Sequence, residues 1–478
     1  LERYYEIFRE LGVKMRILLV TIDHLAHLNI FPMGVAYIAA VARQDGHEVE
    51  IWNQELYHFE DSEIETFLNE NEPYDVIGVG IYGYQMFKKS IEVCKYIQKS
   101  KNKPTVVLGS NGPSACPEYF LEQTNADYIV HGEGESSWRE LLRRLENNLD
   151  TTDSPGISFM KHDGTLYKNP DSPLIRPVDD LPFPAWDLFP MDAYILYKHE
   201  SAKHTARCFP VLYSRGCPQN CNFCFRLYDS YRLRSFENVF EEITILRDKY
   251  KVDHIDFVDE NIGINEKALI RFSKAMKKAD LGVTWNCHGT TPACTVEALT
   301  TAIDAGMTAI NLGIEALDQT VIDNITKKQT VQDAYDAVDA CKEVGIFPGL
   351  NIIWGNIGDT LESLEKGVEF LMKYNSTHHL RSIKPVTPYP GTPLYHHAVE
   401  KGLLKGPADF YEKYQNSDRM TCNFTELSDE EFYKALYDAN KRIVEDWHKR
   451  VAKATTDGYK EAYFNYDPEV GFRGPRHV

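Results

Sequence analysis

Three cysteines, Cys217, Cys221 and Cys224, lie close together in "SRGCPQNCNFCF" (214–225), while the chain's other cysteines are scattered. Scattered cysteines are not a disulfide framework, so the trio invites a different chemistry. Thiolates are soft donors suited to an iron–sulfur cluster or to zinc. A four-iron cube normally takes four ligands, so three thiolates leave one iron open to a small molecule, much as a catalytic zinc keeps a position for substrate. Zinc would need a fourth protein ligand, and no cysteine or histidine follows Cys224 at short range. Incidental core packing is the competing reading, and a polar, glycine-containing loop argues against it.

The elements around the trio must then position it. The strand-like run "FPVLYS" ends at Ser214, and "HIDFVDE", "GVTWNCHG", "AINLGIEA", "GLNIIWGN" and "RSIKPVTPY" follow, with helical spacing between them near 237–250, 266–279, 296–305, 331–344 and 361–374. Six such units predict a partial (β/α)6 parallel barrel, with the cysteines at the face where barrel enzymes carry chemistry. Cys287 alternates with Val283 and Trp285 and reads as a packed small residue of the barrel interior.

An earlier series precedes it: "MRILLV", "EVEIWN", "YDVIGVGIYG", "PTVVLGSNG" and "ADYIVHGEGE" alternate with helical stretches. Apolar strands alternating with helices predict a doubly wound, Rossmann-like parallel sheet. The expected α/β organisation is this sheet domain at 1–149, a Pro- and Asp-rich linker at 150–207, the barrel at 208–399 and a C-terminal helical cap at 400–478. Within the cap, Ser428 and Glu431 form a capping-box pattern before a long amphipathic stretch.

A chain of 478 residues predicts two or three domains. Its formal charge of −19 would repel a phosphate backbone, which argues against nucleic acid as a partner. No apolar run approaches the ~18–20 residues of a membrane span, and no signal-peptide core is evident. A reducing, cytoplasmic setting is the expectation.

The Cys-x3-Cys-x2-Cys spacing, with Phe223 before the third cysteine, resembles the signature of the radical S-adenosylmethionine (SAM) superfamily. The stretches "GEGESSWREL" (132–141), "LPFPAWDLFP" (181–190), "RSFENVFEEI" (234–243), "IDFVDENI" (255–262), "INLGIEA" (310–316) and "PYPGTPLY" (388–395) resemble the branch with an N-terminal cobalamin-binding-type domain. The resemblance implies a 4Fe-4S cluster on Cys217, Cys221 and Cys224, with SAM chelated at the fourth iron. One electron, from an external flavodoxin- or ferredoxin-type donor, then cleaves SAM to methionine and a 5′-deoxyadenosyl radical. By position, Phe223, Asp259, Glu260, Asn261, Glu315 and Gly355 would surround SAM.

For cobalamin the resemblance implies a site at the ends of the first sheet's strands, bordered by His24, His27, Gly80, Tyr82, Gly109, Gly112 and Glu133. The family's Asp-x-His-x-x-Gly loop is not reproduced in "TIDHLAHLN", so base-off cobalamin without a histidine ligand is expected. The alternative is an inherited scaffold that shapes the substrate cavity without a corrin. The leading functional expectation is methyl transfer to an unactivated carbon or phosphorus of a small-molecule, lipid or peptide substrate. Radical oxidation, cyclisation or carbon–carbon coupling is the alternative, and a non-enzymatic zinc protein a third reading.

Overall fold

Strand β1 (Arg16–Thr21), "RILLVT", is almost wholly buried, as a strand covered on both faces must be. The computed structural model describes residues 14–24, 30–81, 86–195, 206–227, 230–377, 379–414 and 416–465. In it β1 pairs in parallel with β2 (Glu48–Asn53) and β3 (Val76–Gly80), and the sheet continues through β4 (Thr105–Gly109) and β5 (Tyr128–Val130). Strand order 2-1-3-4-5 reverses direction between β1 and β3, which creates a switch point where open sheets take ligands. Alternate residues feed two cores. Ile17, Leu19, Val76 and Val107 meet the helices Met33–Gln44 and Gly134–Glu146, while Leu18, Val20, Ile77 and Leu108 meet Glu63–Glu70 and Phe87–Lys99.

The stretch expected as a linker from 150 is not structureless. Strands β6 (Ile157–Met160) and β7 (Leu166–Lys168) form a hairpin that extends the first sheet antiparallel beyond β5. Runs of four and three residues are too short to show a period-two pattern. Further on, Trp186, Phe189 and Tyr194 join the core of the second half of the chain around Phe31 and Phe209.

That second half is built on β8 (Cys208–Val211), the short pair β9 (Ser214–Arg215) and β10 (Arg232–Leu233), then β11 (His254–Phe257), β12 (Thr284–Gly289), β13 (Met307–Glu315), β14 (Gly349–Trp354) and β15 (Ile383–Pro385). Six of these form one parallel sheet in the order β8-β11-β12-β13-β14-β15, so each strand lies beside its successor. This is the open (β/α)6 arrangement expected from the sequence. Ser235, Asn265, Thr295, Thr330 and Thr360 each accept a hydrogen bond from the first turn of the helix they precede, which fixes where those helices begin. Cys287 is fully buried in the core beside Trp285 and Ile310.

The C-terminal region divides its contacts. Tyr395, Leu404, Phe410 and Tyr411 pack with Phe87 and Phe120 of the first sheet's helices. The helix Asp429–Phe464 starts at the expected Ser428–Glu431 capping box and sends Phe432, Leu436, Ala439 and Ile443 into the barrel core. Asn440 pairs with the backbone of β15: its amide nitrogen donates to the Ile383 carbonyl (2.9 Å) and its oxygen accepts from the Ile383 N–H (2.8 Å). The cap therefore covers an open edge of the barrel. Among the described residues, no helix is long and apolar enough to cross a membrane.

Candidate active site

The cysteine loop leaves through β9 and returns through β10, where Arg215 stands opposite Arg232 and Ser214 opposite Leu233. Its entry is tied down by Asp259, at the end of β11. That carboxylate accepts from the Tyr213 N–H (3.0 Å) and from the N–H and hydroxyl of Ser214. Burial pushes Asp259 up to about 6 against these hydrogen bonds, which pull it down. Asp259 is thus engaged by the chain leading into the cysteines.

The middle of the loop is stitched at Asn222. Its amide exchanges two 3.0 Å hydrogen bonds with Asn356, its N–H donates to the Ile325 carbonyl (2.9 Å), and its carbonyl accepts from Leu394 (2.8 Å). Three stretches far apart in sequence, after β13, after β14 and at "PGTPLY", so converge between Cys221 and Phe223. Phe223 packs beside Cys221 against Ala316, Val321, Ile322 and Ile325. Gly391, at φ +86°, lets "PGT" lie on Phe225, whose ring would stand 2.7 Å from a Cβ there.

None of the ten cysteines is in a disulfide. Burial pushes the Cys221 thiol up to about 11 and Cys224 to about 12; neighbouring Cys217, Cys221, Glu260 and Glu315 push Cys224 further the same way. Cys217 is also raised, mainly by burial, although the Asn261 side chain hydrogen-bonds it. Three thiols on one loop, electrostatically coupled and raised by burial, would be held as thiolates by a cationic partner such as a metal cluster. The donor set fits a 4Fe-4S cluster with one iron left to an outside ligand. Among the described residues, no three His, Cys, Asp or Glu side chains converge as they would on a single ion.

Two acids face these thiols. Glu260 is exposed, and desolvation raises it while Arg226 partly offsets the rise. Glu315 ends β13 at φ +64°, a left-handed conformation that costs a non-glycine residue energy and clusters at functional sites. Its carboxylate accepts from the buried Lys327 ammonium at 2.7 Å, and Lys327 also donates to the Gly313 carbonyl at 2.7 Å. A side chain at Gly313 would collide with both ends of this pair. Lys327 was not foreseen from the sequence. Gly355, expected beside SAM, has φ +91°, and the Phe432 ring lies 2.7 Å from where a Cβ would stand. Its N–H donates to Asp359 (2.9 Å).

On the first sheet, Asn53, Thr21, Gly80, Gly109 and Val130 form one row across β2-β1-β3-β4-β5. Above this row lies a cavity of about 550 Å³, lined by Thr21, Gly80, Gly109 and Ser110 on one side and by Leu212, Arg215, Leu227 and Val258 on the other. It continues beside the strands past Leu19, Gly78 and Trp138. A Cβ on Gly78 or Gly80 would stand 2.6 Å from Leu19 or Val35, so glycine is what lets helix and sheet come together here. Among the described residues, the buried Trp138 Nε1 has no hydrogen-bond partner. A flat apolar ligand on the strand ends with an arm beside the sheet matches this shape.

The expected border residues divide. Gly80 and Gly109 line the cavity, whereas Gly112 faces Phe120 and Tyr411, with a Cβ there only 3.1 Å from the Phe120 ring. His24 stands 3.2 Å from Glu55, and it is Glu55 that reaches the cavity wall. Burial pushes Glu55 up to about 8 and lowers His24, so at neutral pH this is a carboxylic acid beside a neutral imidazole. Glu133 lines the cavity, but its two oxygens are taken by Arg215 and Arg232. His27 and Tyr82 lie outside the described residues.

A strand-end cavity facing a three-cysteine loop on an open six-stranded barrel defines a two-part class: a corrin-binding type of sheet joined to a SAM-cleaving type of barrel. Residues 20–142 match the B12 binding domain model, and residues 211–371 match the Radical SAM superfamily model. The chain thus carries a radical SAM domain together with a B12-binding domain, and is an enzyme. Across 78% of its length it is 29% identical to an uncharacterized methyltransferase of Pyrococcus horikoshii, covering 79% of that protein. It is 25% identical, over 77% of this chain and 66% of the other, to an anaerobic magnesium-protoporphyrin IX monomethyl ester cyclase of Rubrivivax gelatinosus. The structure of the radical SAM methyltransferase TsrM from Kitasatospora setae, with cobalamin and a [4Fe-4S] cluster bound, superposes with a TM-score of 0.67 at 17% identity, over 81% of this chain and 75% of that one.

Proposed function

We propose that this enzyme is a cobalamin-dependent radical SAM methyltransferase acting on an unactivated carbon or phosphorus centre. One observation carries the reading: the strand-end cavity and the cysteine loop share a wall, with Arg215 lining the cavity two residues before Cys217. When bound, a 4Fe-4S cluster supplies the electron that cleaves SAM to a 5′-deoxyadenosyl radical, and cobalamin supplies a transferable methyl group.

The chain's own residues do the positioning. Cys217, Cys221 and Cys224 hold the cluster on a loop whose backbone Asp259 and Asn222 fix. Glu260 and Glu315 offer acceptors for the ammonium and ribose hydroxyls of SAM, with Asn261 and Phe223 flanking. The row through Thr21, Gly80 and Gly109 seats the corrin, and Leu19, Gly78 and Trp138 line the space beside the sheet for its arm. The apolar walls keep water from the reacting centre. The domains that do this are the sheet with its added hairpin, the barrel, and a C-terminal region bound to both, in a reducing cytoplasmic setting with a flavodoxin- or ferredoxin-type reductant. The likeness to the cyclase favours one second reading, radical oxidation or ring closure without methyl transfer.

The test is to purify the protein from cells fed hydroxocobalamin and to record visible and paramagnetic-resonance spectra. Base-off Co(II) in near-stoichiometric amount is expected. No corrin uptake, together with 5′-deoxyadenosine formed from SAM, would exclude methyl transfer through cobalt and leave the second reading.

A further inference from the structure

Four charged side chains, each more than nine-tenths buried, join the two halves of the chain. Arg215 bridges Glu133 (2.6 Å) and Glu135 (2.5 Å), and Arg232 meets the same Glu133 at 3.0 and 3.1 Å. The acids come from the "GEGE" turn that opens the helix Gly134–Glu146 on the first sheet. The arginines are the partners directly opposed across β9 and β10, one entering the cysteine loop and one leaving it. The second oxygen of Glu133 also accepts from the Ile175 N–H (2.8 Å), and Arg232 donates to the Ile175 carbonyl (2.7 Å). The Arg215 guanidinium lies 5.2 Å over the Tyr37 ring, in the helix that flanks the cavity.

Two guanidinium groups side by side repel, and two carboxylates balance them, so the network is neutral as a whole and costly to leave incomplete. Burial would raise Glu133, yet hydrogen bonds and charge from Arg232 and Arg215 outweigh it and hold the carboxylate below its ordinary range. Nothing in this set can turn toward a ligand without stranding a buried charge. Both stems of the loop are held to one turn of the other domain, and Glu133, Glu135 and Arg215 are themselves wall residues of the cavity.

We propose that Glu133, Glu135, Arg215 and Arg232 form an interdomain clamp that sets the distance and angle between the cysteine loop and the strand-end cavity. Arg215 is its central positioning residue. The inference rests on the proposed corrin site for its purpose, though not for its existence. A buried ionic network can contribute little to stability while selecting one arrangement, because an apolar set of similar volume packs as well without directional bonds. Arg215 cannot be replaced by lysine, since one ammonium lacks the fork that spans two carboxylates.

Two variants test this: Arg215→Met alone, and the neutral, apolar set Glu133→Leu, Glu135→Leu, Arg215→Met and Arg232→Met together. The first measurement is hydrogen exchange on the purified full chain without added cofactors. Loss of protection at Ser214, Arg215, Arg232 and Leu233 in Arg215→Met is expected, with β11 to β14 unchanged. The second uses protein carrying both Co(II) cobalamin and reduced cluster, reading the enhancement of cluster spin relaxation by cobalt. The neutral set should keep its melting temperature and its iron while losing the single cobalt–cluster separation of the parent. A neutral set that folds and retains that single separation overturns the clamp, as does unchanged exchange in Arg215→Met. Should the parent take up no corrin, the methyltransferase reading falls and the exchange measurement alone decides the clamp.

Discussion

The two halves of the site are built from opposite materials. On the barrel, the cysteine loop is held by polar side chains that reach in from distant stretches: Asp259, Asn222 with Asn356, and Glu315 with Lys327. On the first sheet, the cavity is formed by backbone and by missing side chains, with Gly78 and Gly80 admitting Leu19 and Val35. A site made of donors loses discrete interactions when changed, whereas a site made of space is lost when filled. Substitutions in the two halves should therefore fail differently, and the contrast can be broken from either side.

The largest effect belongs to the thiols. Serine at Cys217, Cys221 or Cys224 should abolish cluster assembly, so that anaerobic reconstitution falls well short of about four irons per chain and SAM cleavage ceases. Iron and sulfide analysis with a 5′-deoxyadenosine assay checks this, and cobalamin uptake should persist in the same variants.

On the sheet side, Gly80→Leu should abolish corrin uptake while leaving iron content and SAM cleavage intact, because the added side chain has to enter the cavity or drive Val35 away. Overpacking of this kind costs typically 1–3 kcal/mol, so the variant should melt lower but still fold. Loss of both cofactors together would show that the halves are not separable. Next come the acids: Glu260→Gln or Glu315→Gln should weaken SAM binding by roughly 1.5–3 kcal/mol, the worth of a charge-assisted hydrogen bond, without loss of iron. Calorimetric titration of the reconstituted protein measures it, and Glu315→Gln should also free Lys327.

The last prediction concerns pH dependence. Glu55 sits near 8 in the folded chain, above its ordinary carboxylate value, because burial disfavours its charge. A raised folded value means the folded state holds the proton more tightly. Its contribution is complete below about pH 4.5 and is lost as pH rises through 8. Glu55→Gln should flatten that part of the stability profile, as read by urea midpoints at stepped pH. A parallel decline in both proteins would place the titration elsewhere.

The same contrast explains what the sequence disclosed. The thiols, the strand–helix alternation and the barrel were legible because spacing and hydrophobic period report them directly. The cavity was legible only as a row of strand ends. Gly112 looked as open as Gly109, yet Phe120 and Tyr411, the latter nearly three hundred residues away, claim its space. Asp259 was placed correctly at a strand end, but its partner is Ser214, which local pattern does not announce. Nothing in the run "YRLRS" announces burial, yet Arg232 and Arg234 are both buried against Glu133 and Glu242. Charge alone does not say which side of the surface it occupies. The hairpin β6–β7 escaped because two such short strands carry too few residues for any period.

Asn440 gives the barrel edge a history as well as a shape. Its amide satisfies the backbone of Ile383, which precedes it by 57 residues. At the ribosome's rate of about 5–20 residues per second, β15 is made roughly 3–11 s before the side chain that shields it. For that interval the nascent barrel presents an uncovered strand, the kind of edge to which other chains add. The growing chain thus passes through a window of self-association that closes only when its long last helix arrives, and chaperone demand during synthesis should be concentrated there.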